Sequence, residues 1–217
     1  MKNIKIWVLG VKQEDTLHDT KVAEASLEKA YLLNELMFPG TKPQFKLVLC
    51  YTRKSYDGEL KRRTQRWESG MSNKKRIITF APSVYNRITN NKMGFYQVVL
   101  HETNHIFYMN FVGAFTPQWL MEGVASLVDG SDKYYKWTGK PDINSLAFSL
   151  KGSDRRGKKD FDITEFYRSS YLATKRIVNE IGVKRLISLL KEYSKQPIKK
   201  NYERLFYDFL HKMQVFD

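Results

Sequence analysis

The N-terminal part of the chain shows both strand and helix periodicities. Apolar residues alternate with other residues over positions 4–8, which predicts a first strand. Apolar side chains then recur at three- and four-residue spacing over 20–38, and this spacing predicts an amphipathic helix that ends at Pro39-Gly40. Two β-prone apolar runs predict further strands at 45–51 and 77–80.

The segment that joins the last two predicted strands, residues 52–76, is strongly basic. The pairs Asp57-Gly58 and Ser69-Gly70 divide it, and both pairs are typical of turns. We therefore expect turns at these two pairs.

From about residue 94 the pattern becomes helical. Residues 97–111 contain neither proline nor glycine, and Gly113 stands where a helix would end. Thr116 as N-cap and Pro117 at the first helical position predict the start of a second helix, which runs to about residue 128. Residues 129–160 are charged and turn-rich, as in a loop, and further helices are predicted at 164–181, 183–193 and 202–213.

Strands and one helix thus precede a half of the chain that contains only helices. This order predicts an α+β fold in which a small N-terminal sheet packs with helices. We expect one domain over 1–217, with the sheet in residues 1–93 and a helical part in residues 94–217.

The composition is that of a folded and strongly basic protein. Hydrophobic residues make up 42% and aromatic residues 14% of the 217 positions, which argues against a disordered chain. The net charge of +14 favours acidic partners, or serves solubility alone. Arg62-Arg63 and Lys158-Lys159, with Trp67 and Tyr56 among the basic residues, suggest nucleic acid as one such partner, but no defined nucleic-acid-binding module accompanies them.

Cysteine content and hydropathy restrict the classes further. The single cysteine, Cys50, permits no intrachain disulfide and no cysteine-based zinc cluster, and its apolar neighbours indicate a buried thiol. The apolar stretch near the start is too short for a signal peptide, and no run of about eighteen apolar residues predicts a membrane span. These features favour a cytoplasmic protein.

The predicted helix at 97–111 carries His101-Glu102-Thr103-Asn104-His105, an H-E-x-x-H motif. Residues four apart lie on one helix face, so both imidazoles can reach one zinc ion. Glu102 lies beside His101 and can contact a water molecule on that ion without being a ligand. The alternative interpretation is a pair of hydrogen-bonded histidines on a partly buried helix.

A catalytic zinc site needs a third protein ligand. A histidine six residues after His105 would supply one, but Phe111 occupies that position. Glu122 is the only acidic residue between Glu102 and Asp129, and its neighbours are apolar, so that an unpaired carboxylate there would be costly to bury. Glu122 is therefore the candidate third ligand, unless it is a solvent-facing glutamate.

These residues together resemble the gluzincin metallopeptidases, and among them compact peptidases in which a W-L-x-E-G-x-A helix supplies the third ligand. The matching segments are 101–105 and 116–125. The resemblance implies a zincin-like fold with a mixed sheet, an active-site helix and a helical C-terminal half. It also implies one zinc ion held by His101, His105 and Glu122, with Glu102 as general base and acid.

Outside residues 95–130 the resemblance is looser. It implies a basic hairpin at 52–76, an edge strand at 77–80 and a later helix whose Tyr171 donates a hydrogen bond to the oxyanion, although Tyr171 is equally explained as a packing residue. Many relatives carry an acidic residue soon after the third ligand, which supports a zinc histidine. This chain has Ser126 there and Asp129 further on, so that support is unassigned.

The sequence therefore predicts a zinc-dependent metallopeptidase acting on a peptide or protein, with the substrate paired as a strand alongside residues 77–80. One alternative is a catalytically silent module of the same fold that serves binding or regulation. The other is a basic, nucleic-acid-associated protein with incidental zinc.

Overall fold

Four strands in the first part of the chain form one mixed sheet. A computed structural model describes residues 4–10, 16–113, 117–148 and 162–195, and the chain divides into two units, 1–110 and 111–217. The strands are β1 (Ile4–Leu9), β2 (Phe45–Cys50), β3 (Gly70–Asn73) and β4 (Arg76–Phe80). The predicted strands at 4–8, 45–51 and 77–80 are confirmed, and so is the coarse α+β class.

The strand order β1-β2-β4-β3 places the short strand β3 at one edge of the sheet. β2 pairs in parallel with both β1 and β4, whereas β3 and β4 form an antiparallel hairpin in which Ser72 lies opposite Ile77. The expectation that residues 77–80 form an edge strand is wrong, because β4 has a partner on each side. The four residues of β3 have weak β propensity, which explains why the apolar pattern did not reveal them.

Helix α1 (Leu17–Met37) confirms the amphipathic helix predicted for 20–38. Its buried positions Ala23, Leu27, Ala30 and Asn34 recur at the helical repeat and face the core of the first unit. The carboxylate of Asp19, also buried, accepts hydrogen bonds from the Tyr51 hydroxyl and from both the backbone N–H and the hydroxyl of Ser83. These bonds tie α1 to the residue after β2 and to the helix that begins at Pro82, directly after β4.

The basic segment at 52–76 is not only turns, as predicted, but contains helix α2 (Arg53–Leu60). Thr52 and Ser55 form a reciprocal capping box at its start, and this local signal outweighs the turn propensity of Asp57-Gly58. Ser69-Gly70 is likewise not a simple turn, since Gly70 begins β3. The hairpin is real but shorter than expected, because it consists of β3 and β4 alone.

Arg53 organises the loop between α2 and β3. Its half-buried guanidinium donates to the carbonyl oxygens of Glu68 at 2.9 Å and Ile88 at 3.1 Å, and it lies over the Phe80 ring at 4.4 Å. Burial lowers the pKa of Arg53 from its usual value. The fork of guanidinium donors suits such a cluster of acceptors, so this arginine is part of the fold and is not a free surface charge.

Besides α2, three short helices were not predicted: α3 (Pro82–Ile88), α6 (Ser131–Tyr135) and α7 (Ile143–Phe148). α3 starts with a proline in the first helical turn, as helices often do. The other two lie within 129–160, which was expected to be a loop. Helices of one or two turns carry too few residues for a periodic pattern.

The predicted helix at 97–111 is α4 (Phe95–Val112), and the helix expected to run to about 128 is α5 (Gln118–Asp129). Pro117 takes the N-cap position of α5, while Thr116 lies outside the described residues. The predicted helices at 164–181 and 183–193 are confirmed as two parts of α8 (Ile163–Ser194), separated at Gly182, where φ is 77°. The predicted helix at 202–213 lies outside the described residues.

In the second unit α5 packs directly on α8. Gly123 makes this possible, because a methyl group in its place would lie 2.0 Å from Thr174 Oγ1 and 2.3 Å from the Ser170 carbonyl oxygen. Ser170, Ala173 and Thr174 are fully buried. The residue after Glu122 therefore sets how closely these helices approach. No helix among the described residues combines the length and apolarity that crossing a bilayer requires.

Candidate metal centre

Helix α4 carries the H-E-x-x-H motif, as the sequence predicted. Its residues His101 and Glu102 are each 8% exposed and His105 is 6% exposed. The two imidazole rings lie nearly perpendicular, with their centroids 4.6 Å apart. The four-residue spacing thus brings both rings together on one face of a buried helix.

A buried amide pair fixes the middle of α4. Asn104, inside the motif, donates through Nδ2 to Asn34 Oδ1 on α1 at 2.7 Å. Asn34 in turn donates to the Ala30 carbonyl oxygen at 2.8 Å. Both side chains are fully buried, where a hydrogen bond is strong and an unmade one is expensive. The pair therefore holds α4 in register with α1 one residue before His105.

His101, His105 and Glu122 form a group that could hold a metal ion. Each offers one ligand atom, and these atoms all lie within 4.8 Å of one another. Glu122 is 6% exposed, which excludes the solvent-facing alternative. A search of the described residues for three or more histidine, cysteine or acidic side chains with the spacing of a metal site finds these three.

The donor set fits a small divalent cation. Tetrahedral zinc with bonds of about 2.0–2.1 Å separates its ligand atoms by about 3.4 Å. The atoms here lie at most 4.8 Å apart, so binding a zinc ion would require them to approach by no more than about 1.4 Å. Two imidazoles and one carboxylate are also the set that leaves a fourth position for water or substrate.

Glu102 has a different environment from Glu122. The Ser72 hydroxyl on β3 donates to Glu102 Oε2 at 2.6 Å. Glu102 is not a member of the three-residue group, although it is adjacent to His101 in α4. This agrees with the predicted distinction between a ligand glutamate and a glutamate that handles protons, a role that stays a prediction.

Tyr171 is 2% exposed, and its described hydroxyl contacts lie in the second unit. Lys175 Nζ donates to Tyr171 Oη at 2.9 Å, and Asp132 also hydrogen-bonds to this hydroxyl. Burial, together with Asp132, raises the pKa of Tyr171 in spite of Lys175. The expected donation to an oxyanion stays a prediction. It would require the hydroxyl to exchange its hydrogen bond with Asp132 for one with the substrate.

The residues after Glu122 were the point at which the chain departs from the resembled family. Ser126 is buried on α5. The Asp129 carboxylate accepts hydrogen bonds from the backbone N–H of Ser131 at 2.7 Å and from its hydroxyl at 2.5 Å. Asp129 therefore stabilises the start of α6 through its hydrogen bonds to Ser131.

Sequence reasoning missed Ser72 and Gly70, which contact Glu102 from β3. They lie about thirty residues before the H-E-x-x-H motif, in a segment for which the sequence predicted turns. A glycine in a strand often marks a place where another group approaches closely, and that was the available signal.

Several basic and aromatic residues of 52–76 are committed to internal contacts. Tyr56 is fully buried, so it offers no stacking surface to a nucleobase. Arg62 is paired with Glu68, and Arg76 with Glu59. Trp67 is exposed, but the predicted combination of basic residues with both aromatic rings is not present on the surface.

Comparison of the chain with models of known protein families, with curated proteins and with solved structures finds no significant match to any of them.

Proposed function

We propose that this protein is a zinc-dependent metallopeptidase of the gluzincin type. The observation that carries the proposal is the buried group of His101, His105 and Glu122, with Glu102 next to it in sequence and outside the ligand set. A divalent cation at Glu122 would offset part of the cost of burying its carboxylate.

Zinc is the metal that this donor set favours, because imidazole nitrogens with one carboxylate are typical of catalytic zinc, whereas magnesium and calcium prefer oxygen ligands alone. When bound, zinc lowers the pKa of a coordinated water and polarises a carbonyl group. His101, His105 and Glu122 are the residues that would hold it.

Glu102 takes the proton from the attacking water and delivers it to the leaving amine, as a general base and then a general acid. Its burial keeps bulk water away from the carboxylate during this transfer. A substrate strand would pair with β3, since among the described strands β3 has a neighbour on one side only, while β4 is paired on both sides.

The test combines metal analysis with peptide hydrolysis. Wild-type protein is loaded with zinc, dialysed, analysed for metal per chain and assayed on a library of internally quenched peptides. We expect about one zinc per chain. We also expect Glu102→Gln to retain zinc and lose turnover by roughly a hundredfold or more, the contribution of a general base.

The control is Glu192→Gln, the same substitution at an exposed glutamate that pairs with Arg185. It should leave both zinc content and turnover unchanged. Zinc binding without cleavage of any library peptide would establish the silent binding module instead. Absence of binding by zinc or any other divalent metal would refute the metal centre itself.

A further inference from the structure

The short edge strand β3 makes two contacts with the Glu102 side chain, one through each carboxylate oxygen. On one side, Ser72 Oγ donates to Oε2 at 2.6 Å. A hydroxyl-to-carboxylate bond of this length belongs to the charge-assisted class, which is about twice as strong as a bond between neutral groups. Glu102 has three side-chain torsions, and this bond selects one orientation of its carboxylate.

On the other side, Gly70 provides space. A methyl group at this position would lie 2.8 Å from Glu102 Oε1, 2.9 Å from Glu102 Cγ and 2.7 Å from Val98 Cγ1. Such distances are well inside van der Waals contact, so any larger residue would displace the carboxylate. Positions 70 and 72 lie on the same face of a strand because side chains alternate, and both therefore face α4.

β3 is itself firmly held where it begins. Thr79 Oγ1 donates to the Ser69 carbonyl oxygen at 2.7 Å, and Asn91 Nδ2 donates to Ser69 Oγ at 2.7 Å. One residue earlier, the Arg53 guanidinium donates to the Glu68 carbonyl oxygen at 2.9 Å. Strand β4, helix α2 and the segment between α3 and α4 thus fix the start of this strand, so that four residues suffice to orient a side chain on α4.

We propose that Ser72 is a positioning residue for Glu102: its hydroxyl holds Oε2, and the absence of a side chain at Gly70 leaves room for Oε1, the oxygen that exchanges the proton. This inference rests on the proposed peptidase function. It adds that the two carboxylate oxygens of Glu102 have different roles, and that β3, which is distant from the motif in sequence, determines which oxygen has which role.

The test compares Ser72→Ala with a matched control in the zinc-loaded full chain. Ser72→Ala should lower kcat on a cleaved peptide by about 10- to 100-fold, the loss typical of a supporting hydrogen bond to a charged catalytic group, with KM within about twofold of wild type. Zinc content should stay at the wild-type level. Ser72→Thr retains a hydroxyl and should recover most of kcat.

Ser83→Ala is the matched control, because the Ser83 hydroxyl also donates to a carboxylate, Asp19 Oδ2, at the same 2.6 Å. It should shift the melting temperature about as much as Ser72→Ala does but leave kcat unchanged. A second variant, Gly70→Ala, tests the space beside Oε1 and should also lower kcat with zinc retained.

The outcomes separate the two proposals. If wild type cleaves peptide and Ser72→Ala has the wild-type kcat, the positioning role is wrong while the proposed function stands. If Ser72→Ala loses kcat and Ser72→Thr does not recover it, a hydroxyl is not what matters, and the positioning role is again wrong. If wild type binds zinc but cleaves no peptide, the proposed function fails, and the role inferred for Ser72 fails with it.

Discussion

Alanine in place of Gly123 is expected to separate helices α5 and α8. The added methyl group would lie 2.0 Å from Thr174 Oγ1, which a side-chain rotation can relieve, and 2.3 Å from the Ser170 carbonyl oxygen, which belongs to the backbone of α8. The second clash is relieved only if one helix moves. Because Gly123 follows Glu122 directly, such a movement also displaces the candidate ligand.

Two effects of opposite sign decide the size of the change. Alanine is favoured over glycine inside a helix by about 1 kcal/mol. Overpacking of a tight contact costs typically about 1–3 kcal/mol, and a contact with backbone belongs at or above the upper end of that range. We therefore expect Gly123→Ala to lower the free energy of unfolding by about 2 kcal/mol or more.

Gly58→Ala is the matched control, because Gly58 also lies inside a helix, α2, but has no atom within 4 Å of the added methyl group. Only the propensity gain operates there, so this variant should be more stable than wild type by about 0.5–1 kcal/mol. The two substitutions are chemically identical and should shift stability in opposite directions.

Unfolding in urea is monitored by circular dichroism, and the zinc content of each variant is measured. Gly123→Ala should also weaken zinc binding, whereas Gly58→Ala should not. The double variant Gly123→Ala/Thr174→Ala removes the clash with Oγ1 but not the clash with the Ser170 carbonyl, so it should recover only part of the loss. Equal stability changes for Gly123→Ala and Gly58→Ala would refute the close-packing explanation.

Two further predictions concern the first unit. Arg53→Lys keeps the charge but loses the forked contacts with loop carbonyls, and we expect unfolding free energy to fall by about 2 kcal/mol in urea titration, while Arg63→Lys on the exposed surface leaves it unchanged. Burial raises the pKa of the Cys50 thiol to about 12, above its ordinary value of 9.0. The folded state therefore favours the protonated thiol, so its stabilising contribution is complete below pH 9 and declines as pH rises towards 12. Iodoacetamide at pH 8 should modify Cys50 only after denaturation, and rapid labelling of the native protein would contradict its burial.

The parts of the candidate site that lie on one helix could be predicted from the sequence. His101 and His105 are four residues apart, and the helical repeat alone places them on one face. No proline or glycine interrupts the surrounding helix, so the local pattern determined the geometry. Glu122 was found in another way, because it was the only carboxylate within a long apolar stretch, and its burial agrees with that reasoning.

Contacts between distant segments could not be predicted in this way. Ser72 and Glu102 are thirty residues apart, and only the pairing of β3 with β4 and the packing of α4 bring them together. The error about the edge strand has the same origin. Residues 77–80 are apolar enough to be recognised as a strand, but apolarity on both faces is typical of an interior strand, and the polar strand beside it had no periodic signal.

The structure distinguishes two buried glutamates that burial and composition alone leave equivalent. Glu102 and Glu122 have almost the same exposure, 8% and 6%, so burial alone does not tell them apart. The cost of burying a carboxylate must be offset by hydrogen-bond donors or by a cation. Which of these it has determines which chemical role suits it. Glu102 accepts the Ser72 hydroxyl hydrogen bond at Oε2, and in the proposed mechanism its other oxygen exchanges the proton. Glu122 instead lies with two imidazoles, which as neutral rings can coordinate a cation jointly with it. The proposed roles of Glu102 as proton carrier and Glu122 as metal ligand thus rest on the different partners of the two carboxylates.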